Sequence, residues 1–312
     1  MRTGSGWPTL YIRTVTDLGY RVEDQKAIVV KAMDPTVELA RAKLTVSLKI
    51  TGTRSDGYHL IDSEMISLDL ADRLDIAPGT GLEIVCKYPR SERQDRSNEQ
   101  MDVVSDGSNL VARALNLVGK SARVRLEKNI PPGAGLGGGS ADAAAILRWA
   151  RVFEPEIALE LGADVPFCLA GGRARVSGIG DILEPLAYFD RYFVLLTPPF
   201  GVSTKDVYRS YDDLRAPDSG NLNDLEIAAL NVEPRLGHWQ EELGVLTHQQ
   251  PVLAGSGSTW FVELFSKEEF DTLKQQTGTL VAEYLSQGVM LTFARSTPPL
   301  TYQKLVSSSG LP

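Results

Sequence analysis

Cysteine is scarce in this chain: two in 312 residues, Cys86 and Cys168, far apart and without metal-ligand spacing. That scarcity excludes a disulfide-stapled scaffold and a cysteine zinc site, and makes a reduced, cytoplasmic protein the simplest expectation. No apolar run is long enough to span a membrane as a helix. An excess of basic charge is also missing, since 32 Lys and Arg face 40 Asp and Glu for a net charge of −8. Nucleic-acid-binding surfaces are normally basic, so neither nucleic acid nor membrane is expected as a partner. Phosphate-bearing small molecules stay open, because a few amides and a lysine suffice to hold them. Internal repeats and low-complexity tracts are absent. Residues 1–32 lack the compact apolar stretch of a signal peptide, and Asp17, Glu23 and Asp24 break the acid-poor pattern of a transit peptide. Met33 stands just before the pattern becomes orderly, which suggests a start there and a non-native, dispensable extension before it. The rest suffices for two domains, expected at 33–199 and 200–312.

What the chain does have is Pro131-Pro132-Gly133-Ala134-Gly135-Leu136-Gly137-Gly138-Gly139-Ser140, followed by Ala141-Asp142-Ala143-Ala144-Ala145-Ile146-Leu147. Five of the residues 133–139 are glycine, so the backbone is free to enter positive φ and to approach a ligand closely. The alanine-rich run predicts a helix from Ala141 to about Val152, with Ser140 as its N-cap. Bare amides opening onto a helix N-terminus make an anion site, most often for phosphate. No Gly-Lys-Ser/Thr follows the glycines, so a Walker loop is excluded and the loop supplies no lysine of its own.

Around this loop the pattern predicts an α+β protein. Residues 43–51 alternate, with Leu44, Val46, Leu48 and Ile50 on one face and Lys43, Thr45, Ser47 and Lys49 on the other, as in a half-buried strand. The turn 52–57 and a strand near 64–70 complete an antiparallel pair, with Tyr58 and His59 just past the turn. A polar loop or lid is expected at 87–107, a helix at 108–118 capped by Ser108 or Asn109, and a strand at 123–128. Farther on come a helical turn at 156–161, strands at 173–176 and 192–196, an Asn-rich helix at 221–231, a strand at 259–265, a helix at 267–276 and a strand around 289–294.

Phosphoryl transfer asks for charge neutralisation, a positioned acceptor and exclusion of water. The best carboxylate outside the loop is Asp164, in Leu161-Gly162-Ala163-Asp164-Val165-Pro166. Its plain alternative is an N-cap for a helix begun at Pro166. The best cation is Lys43, whose plain alternative is a surface lysine on a strand edge. Ala254-Gly255-Ser256-Gly257-Ser258 is either a tight turn or a place of close approach, and Gly57-Tyr58-His59 either structural or a base-stacking pair.

Together, Ala42-Lys43-Leu44, Asp56-Gly57-Tyr58-His59, Pro131 through Ala145, Leu161 through Pro166 and Gly255-Ser256-Gly257 resemble the GHMP small-molecule kinases. Within that superfamily they look most like the kinases of cytidine-diphosphate-linked methylerythritol, over a span from about residue 39 nearly to the C-terminus. The resemblance implies a GHMP fold, with an N-terminal domain like the second domain of ribosomal protein S5 and a ferredoxin-like C-terminal domain. It implies ATP with Mg2+ as cofactors and transfer of the γ-phosphate to the 2-hydroxyl of a small-molecule acceptor. Asp164 would be the catalytic aspartate and Lys43 its partner. Pro131 through Ala141 would wrap the phosphates, and Asn109 would stand near the adenine. Tyr58 and His59 would hold the cytosine ring with Tyr208 as the second wall, and Gly255, Ser256 and Gly257 would shape the floor near the acceptor. The chain departs from the family pattern at Thr45, where asparagine is usual, and at Ala141, where a second serine is common; the 146–161 segment is short and the N-terminus extended. Another kinase of the superfamily, of homoserine or mevalonate type, and a catalytically silent nucleotide-binding homologue are the competing expectations.

Overall fold

Two long strands organise the molecule: β1 (Thr36–Thr53) and β2 (His59–Ala77), an antiparallel pair joined by the 54–58 turn. In the computed structural model, residues 35–88, 107–215 and 220–300 are described. The expected extension at 1–32 lies outside the described residues, as does most of the expected 87–107 loop. After β2 come β3 (Gly81–Cys86), α1 (Leu110–Leu117), β4 (Arg123–Lys128), α2 (Gly138–Ala150), α3 (Pro155–Leu159), α4 (Val165–Ala170), β5 (Arg173–Gly178) and β6 (Ile182–Pro185). The remainder is β7 (Tyr192–Thr197), α5 (Thr204–Asp213), α6 (Glu226–Val232), α7 (Leu236–Thr247), β8 (Val252–Leu253), β9 (Trp260–Leu264), α8 (Lys267–Gln276), α9 (Gly278–Ser286) and β10 (Met290–Arg295).

The first sheet runs β3-β4-β2-β5-β6 with β1 on the far edge of β2. One edge of β2 is shared: Ile61–Ile66 pairs with β5 and Arg73–Ala77 with β4. In the gap between them, Asp72 accepts hydrogen bonds from the amides of Asn129 (2.5 Å) and Ile130 (2.8 Å). That catch turns the chain out of β4 toward the glycine loop. The second sheet has the order β10-β7-β9-β8, all antiparallel. Numbered within the sheet this is 4-1-3-2, the ferredoxin-like arrangement of a split βαβ.

The expected half-buried strand at 43–51 is corrected in its first half: β1 is buried on both faces from Lys43 to Val46, whereas Ser47, Lys49 and Ile50 are half-buried and Thr51 is exposed. Lys43 and Thr45 are 6% and 2% exposed, as deeply placed as Leu44 and Leu48. The physical reason is cover from distant segments. Ala42, Leu44 and Val46 pack against Phe193, Leu195 and Phe261 of the second sheet, forming one core between the sheets. The remaining edge of β1 is also used. Leu48 exchanges backbone hydrogen bonds with the 222–224 segment, donating to Leu222 (2.8 Å) and accepting from Asp224 (2.9 Å). The Asp224 carboxylate then accepts from the Ile50 amide (2.9 Å) and the Lys49 ammonium (2.8 Å). Arg191 adds a second tie between the sheets, donating to Glu64 on β2 (2.5 Å) and Glu263 on β9 (2.6 Å).

Two helix expectations are also corrected. α2 starts at Gly138, three residues before the expected Ala141, because Gly137 takes the left-handed conformation (φ 66°) at the N-cap position. Ser140 therefore sits inside the first turn and caps nothing. The Asn-rich helix begins only at Glu226, since Asn223 spends its side chain on the preceding turn, accepting from Leu225 N at 2.9 Å. Among the described residues no helix is long and apolar enough to cross a membrane.

Candidate active site

Lys43 reaches the site because β1 is irregular around it. Register shifts at Arg41/Lys43 and Thr45/Ser47 bracket the residues that face the glycine loop, and such bulges re-aim side chains. Its ammonium lies 3.3 Å from Asp164 Oδ2 and donates to Thr45 Oγ1 at 3.1 Å. Its amide donates to the Leu136 carbonyl (3.0 Å), and its stem crosses Gly137 so closely that a Cβ there would lie 2.7 Å from Lys43 Cγ. The surface-lysine alternative is thereby excluded.

Asp164 stands at the N-cap position of α4, yet its backbone is helical (φ −82°, ψ −12°) and its side chain makes no cap hydrogen bond. A capping aspartate would accept from an amide two or three residues on. This one instead meets Lys43, with its side chain one-third exposed. The charge of Asp164 is felt nearby. Burial first, and then that charge, push the Tyr208 phenol up to about 12 and the Cys168 thiol up to about 12. Cys168 is thus a neutral, buried thiol with no nucleophilic character.

The glycine loop is fastened through its carbonyls. Gly133 O accepts from the Val202 and Ser258 amides and Ala134 O from the Thr259 amide, each at 3.2 Å, while Ala134 and Leu136 side chains enter the core between the sheets. A Cβ at Gly135 would collide with the Ala254 carbonyl. The amides are left over: none from Gly133 through Ser140 donates to a described residue. A run of unsatisfied amides ending in a helix N-terminus is a cradle for an anion. Ala141 lies beneath it, 1% exposed in the core.

A second lysine sits under the loop. Lys128 donates to Asp72 and, at 2.7 Å, to Asp142 of α2, all three side chains being almost fully buried. Its ammonium is 3.1 Å from where a Cβ on Gly138 would be. Burial opposes the lysine's charge, but the two carboxylates outweigh it and hold its pKa above the ordinary value. Burial and the neighbouring Asp72 push Asp142 up to about 7 against the pull of Lys128. Asp142 Oδ1 is left without a partner. Nothing local in the sequence marks this triad.

The Gly255-Ser256-Gly257 turn closes the other side. A Cβ on Gly255 would be 3.6 Å from both Lys43 Nζ and Thr45 Oγ1, and Ser256 Oγ lies 2.8 Å from Thr204 Oγ1. Asn223, which sequence reasoning saw only as part of an Asn-rich stretch, holds this turn by donating to Leu253 O (2.8 Å) and Gly255 O (2.7 Å). Tyr208 reaches His59, their rings 5.0 Å apart. Tyr58 is 61% exposed, with the Arg54 guanidinium 5.9 Å over its ring. Asn109 caps α1, its side chain accepting from Val111 N at 2.8 Å. Lys43, Thr45, Asp164, Gly137 and Gly255 are therefore together, Tyr208 is linked to Asp164 by charge and to His59 by contact, and Tyr58 and Asn109 are placed by their own local partners.

The family model for the GHMP kinases N terminal domain matches residues 109–172. The chain is 39% identical over 243 residues to a 4-diphosphocytidyl-2-C-methyl-D-erythritol kinase of Paracoccus denitrificans, a match covering 72% of this chain and 85% of the relative. It is 37% identical over 265 residues to the kinase of the same name from Cereibacter sphaeroides, covering 75% and 90%. A crystal structure of 4-(cytidine 5'-diphospho)-2C-methyl-D-erythritol kinase superposes with a TM-score of 0.63 at 29% identity, over 84% of this chain and 99% of that one. Mevalonate kinase of L. major shares the fold at a TM-score of 0.54 and 13% identity, over 86% and 98%.

Proposed function

Because the chain belongs to the GHMP kinases, and within them to the 4-diphosphocytidyl-2-C-methyl-D-erythritol kinases, we propose that Asp164 and Lys43 act together on the acceptor hydroxyl. The enzyme is an ATP-dependent kinase that phosphorylates the 2-hydroxyl of 4-diphosphocytidyl-2-C-methyl-D-erythritol, a step in non-mevalonate isoprenoid precursor biosynthesis. The observation that carries the residue assignment is the 3.3 Å contact of Lys43 with Asp164 beside the loop of unsatisfied amides.

In a loose phosphoryl transfer the acceptor proton leaves late, so the aspartate's task is to orient the hydroxyl and take its proton as the new bond forms. The carboxylate of Asp164, spared from capping, is available for that. Lys43 stabilises the negative charge that develops on the transferring oxygens. The amides of Gly133 through Ser140 hold the phosphates, with Pro131 and Pro132 fixing the entry to the loop, and the surrounding walls keep water from competing with the acceptor. Tyr58, His59 and Tyr208 hold the cytosine, Gly255 through Gly257 shape the acceptor floor, and Asn109 lies toward the adenine.

Mg2+ typically binds through one or two protein oxygens plus phosphate oxygens and water. Among the described residues no group of three or more His, Cys, Asp or Glu forms a cage for a metal. The Asp164 carboxylate and the Ser140 hydroxyl, which has no hydrogen-bond partner among the described residues, fit the smaller requirement. When bound, the ion would neutralise charge on the phosphates. The domain division at residue 199/200 and a cytoplasmic location, in keeping with two free cysteines, belong to the same proposal.

The test is ADP formation from ATP with the cytidyl-methylerythritol acceptor, homoserine and mevalonate in parallel. Turnover is expected with the first alone; turnover of either of the others in its place would overturn the reading.

A further inference from the structure

The turn after β1 delivers His59 to the start of β2, and α5 meets it from the other half of the molecule. Tyr208 and Asp212 are four residues apart on α5 and so share one face. Both reach the imidazole. The Tyr208 ring lies 5.0 Å away at 36°, and Asp212 Oδ1 lies 2.7 Å from His59 Nε2. Tyr211 adds an edge-on contact at 6.0 Å. The imidazole is thus enclosed, 9% exposed, while the carboxylate that holds it is 58% exposed. The ring's other nitrogen, Nδ1, has no hydrogen-bond partner among the described residues.

From this asymmetry we infer that Asp212 is a positioning residue that sets base specificity, by holding His59 in the tautomer with its proton on Nε2. A carboxylate only accepts hydrogen bonds, whereas a neutral imidazole carries a proton on one nitrogen and a lone pair on the other. An acceptor fixed at Nε2 therefore selects the Nε2–H form and leaves a lone pair on Nδ1, as second partners do for histidines generally. Cytosine carries an amino donor at position 4 where uracil carries a carbonyl acceptor. A lone pair on Nδ1 attracts the first and repels the second. Asp212 does not touch the base; it acts through the ring. The inference rests on the reading of His59 and Tyr208 as the cytosine-holding residues, and it adds what makes the ring choose between bases.

The experiment is steady-state kinetics of the full chain and of D212A, D212N and D212E, with the cytidine acceptor and its uridine counterpart at saturating ATP. Inhibition by CDP and UDP supplies the same preference ratio where uridine turnover is too slow to follow. D212A should raise KM for the cytidine acceptor and narrow the cytidine-over-uridine ratio, each about tenfold, the worth of one oriented hydrogen bond. The KM for ATP and kcat at saturation should stay within about twofold, as expected for a group remote from the transferring phosphate. D212E should restore much of the preference. D212N should lose it as fully as D212A, because an amide can also donate to Nε2 and admit the other tautomer. A D212A enzyme that weakens both substrates equally, or that becomes more selective for cytidine, overturns the inference and leaves the kinase reading standing. Failure of the unsubstituted chain to turn over the cytidine acceptor overturns both.

Discussion

Two lysines flank the same glycine loop, and their surroundings set them apart. Lys43 runs past Gly137 and meets Asp164 at 3.3 Å, a carboxylate one-third exposed and bound to nothing else described. Lys128 lies beneath Gly138, sealed between Asp72 and Asp142, with all three side chains at most 5% exposed. The chemical pair is the same; the number of partners and access to solvent differ. A sealed, doubly bonded ammonium cannot turn to a substrate, and removing it leaves buried carboxylates uncompensated. An ammonium with one loosely held acid keeps its capacity for another partner. One lysine is locked into the support beneath the loop, and the other stays open to a further partner.

The contrast breaks most sharply at Asp164. Asp164→Asn should lower kcat by roughly 10²–10⁴, the usual worth of a positioned acid or base. Its stability to urea should change by less than about 1 kcal/mol, because partly exposed ion pairs contribute little. Near-full turnover in that variant would take Asp164 out of the chemistry. The mirror experiment is Lys128→Met, where chemical denaturation should report a loss of about 3–5 kcal/mol, the cost of leaving a buried acid unpaired. The protein that remains folded should keep kcat within a few fold. Unchanged stability in Lys128→Met would erase the distinction between the two lysines. The smallest effect concerns what steadies Lys43. Thr45→Val keeps the shape and deletes the acceptor 3.1 Å from the ammonium, so kcat/KM should fall roughly three- to tenfold, the worth of one net hydrogen bond. No change would mean that Asp164 and the wall at Gly137 orient Lys43 unaided.

The sequence exposed the loop, Lys43 and Asp164 because each breaks a local expectation: glycines before a strong helix, an acid among apolar residues, a lysine heading a strand. It did not expose the triad beneath the loop, because Asp72 is 56 residues from Lys128 and meets it only where β2 changes partners. The burial of Lys43 was hidden for a similar reason, since its cover comes from the glycine loop at Leu136 and Gly137 and from the turn at Gly255, far along the chain. Ser140 looked like the cap because glycines are poor helix formers. Gly137 in the left-handed conformation starts the helix earlier than propensity allows. The helix α5, which carries Tyr208 and Asp212, was missed although Ser203 announces it, accepting from the Asp206 amide at 3.3 Å. Its apolar residues fall on one face, as Val207 and Tyr211 show, but they are few in a strongly polar segment and easily read as part of a loop. By contrast α8 was placed at its observed bounds, with Ser266 and Glu269 in capping-box spacing.

The bonding of Leu48 to the 222–224 segment constrains how this enzyme can be taken apart. One margin of the strand that carries Lys43 is completed by chain from beyond residue 220. A gene fragment ending near residue 199 would leave that margin bare, an invitation to intermolecular strand addition. Halves meant to be studied separately would need to be supplied together, or the naked margin blocked with proline or charge, before either stayed dispersed.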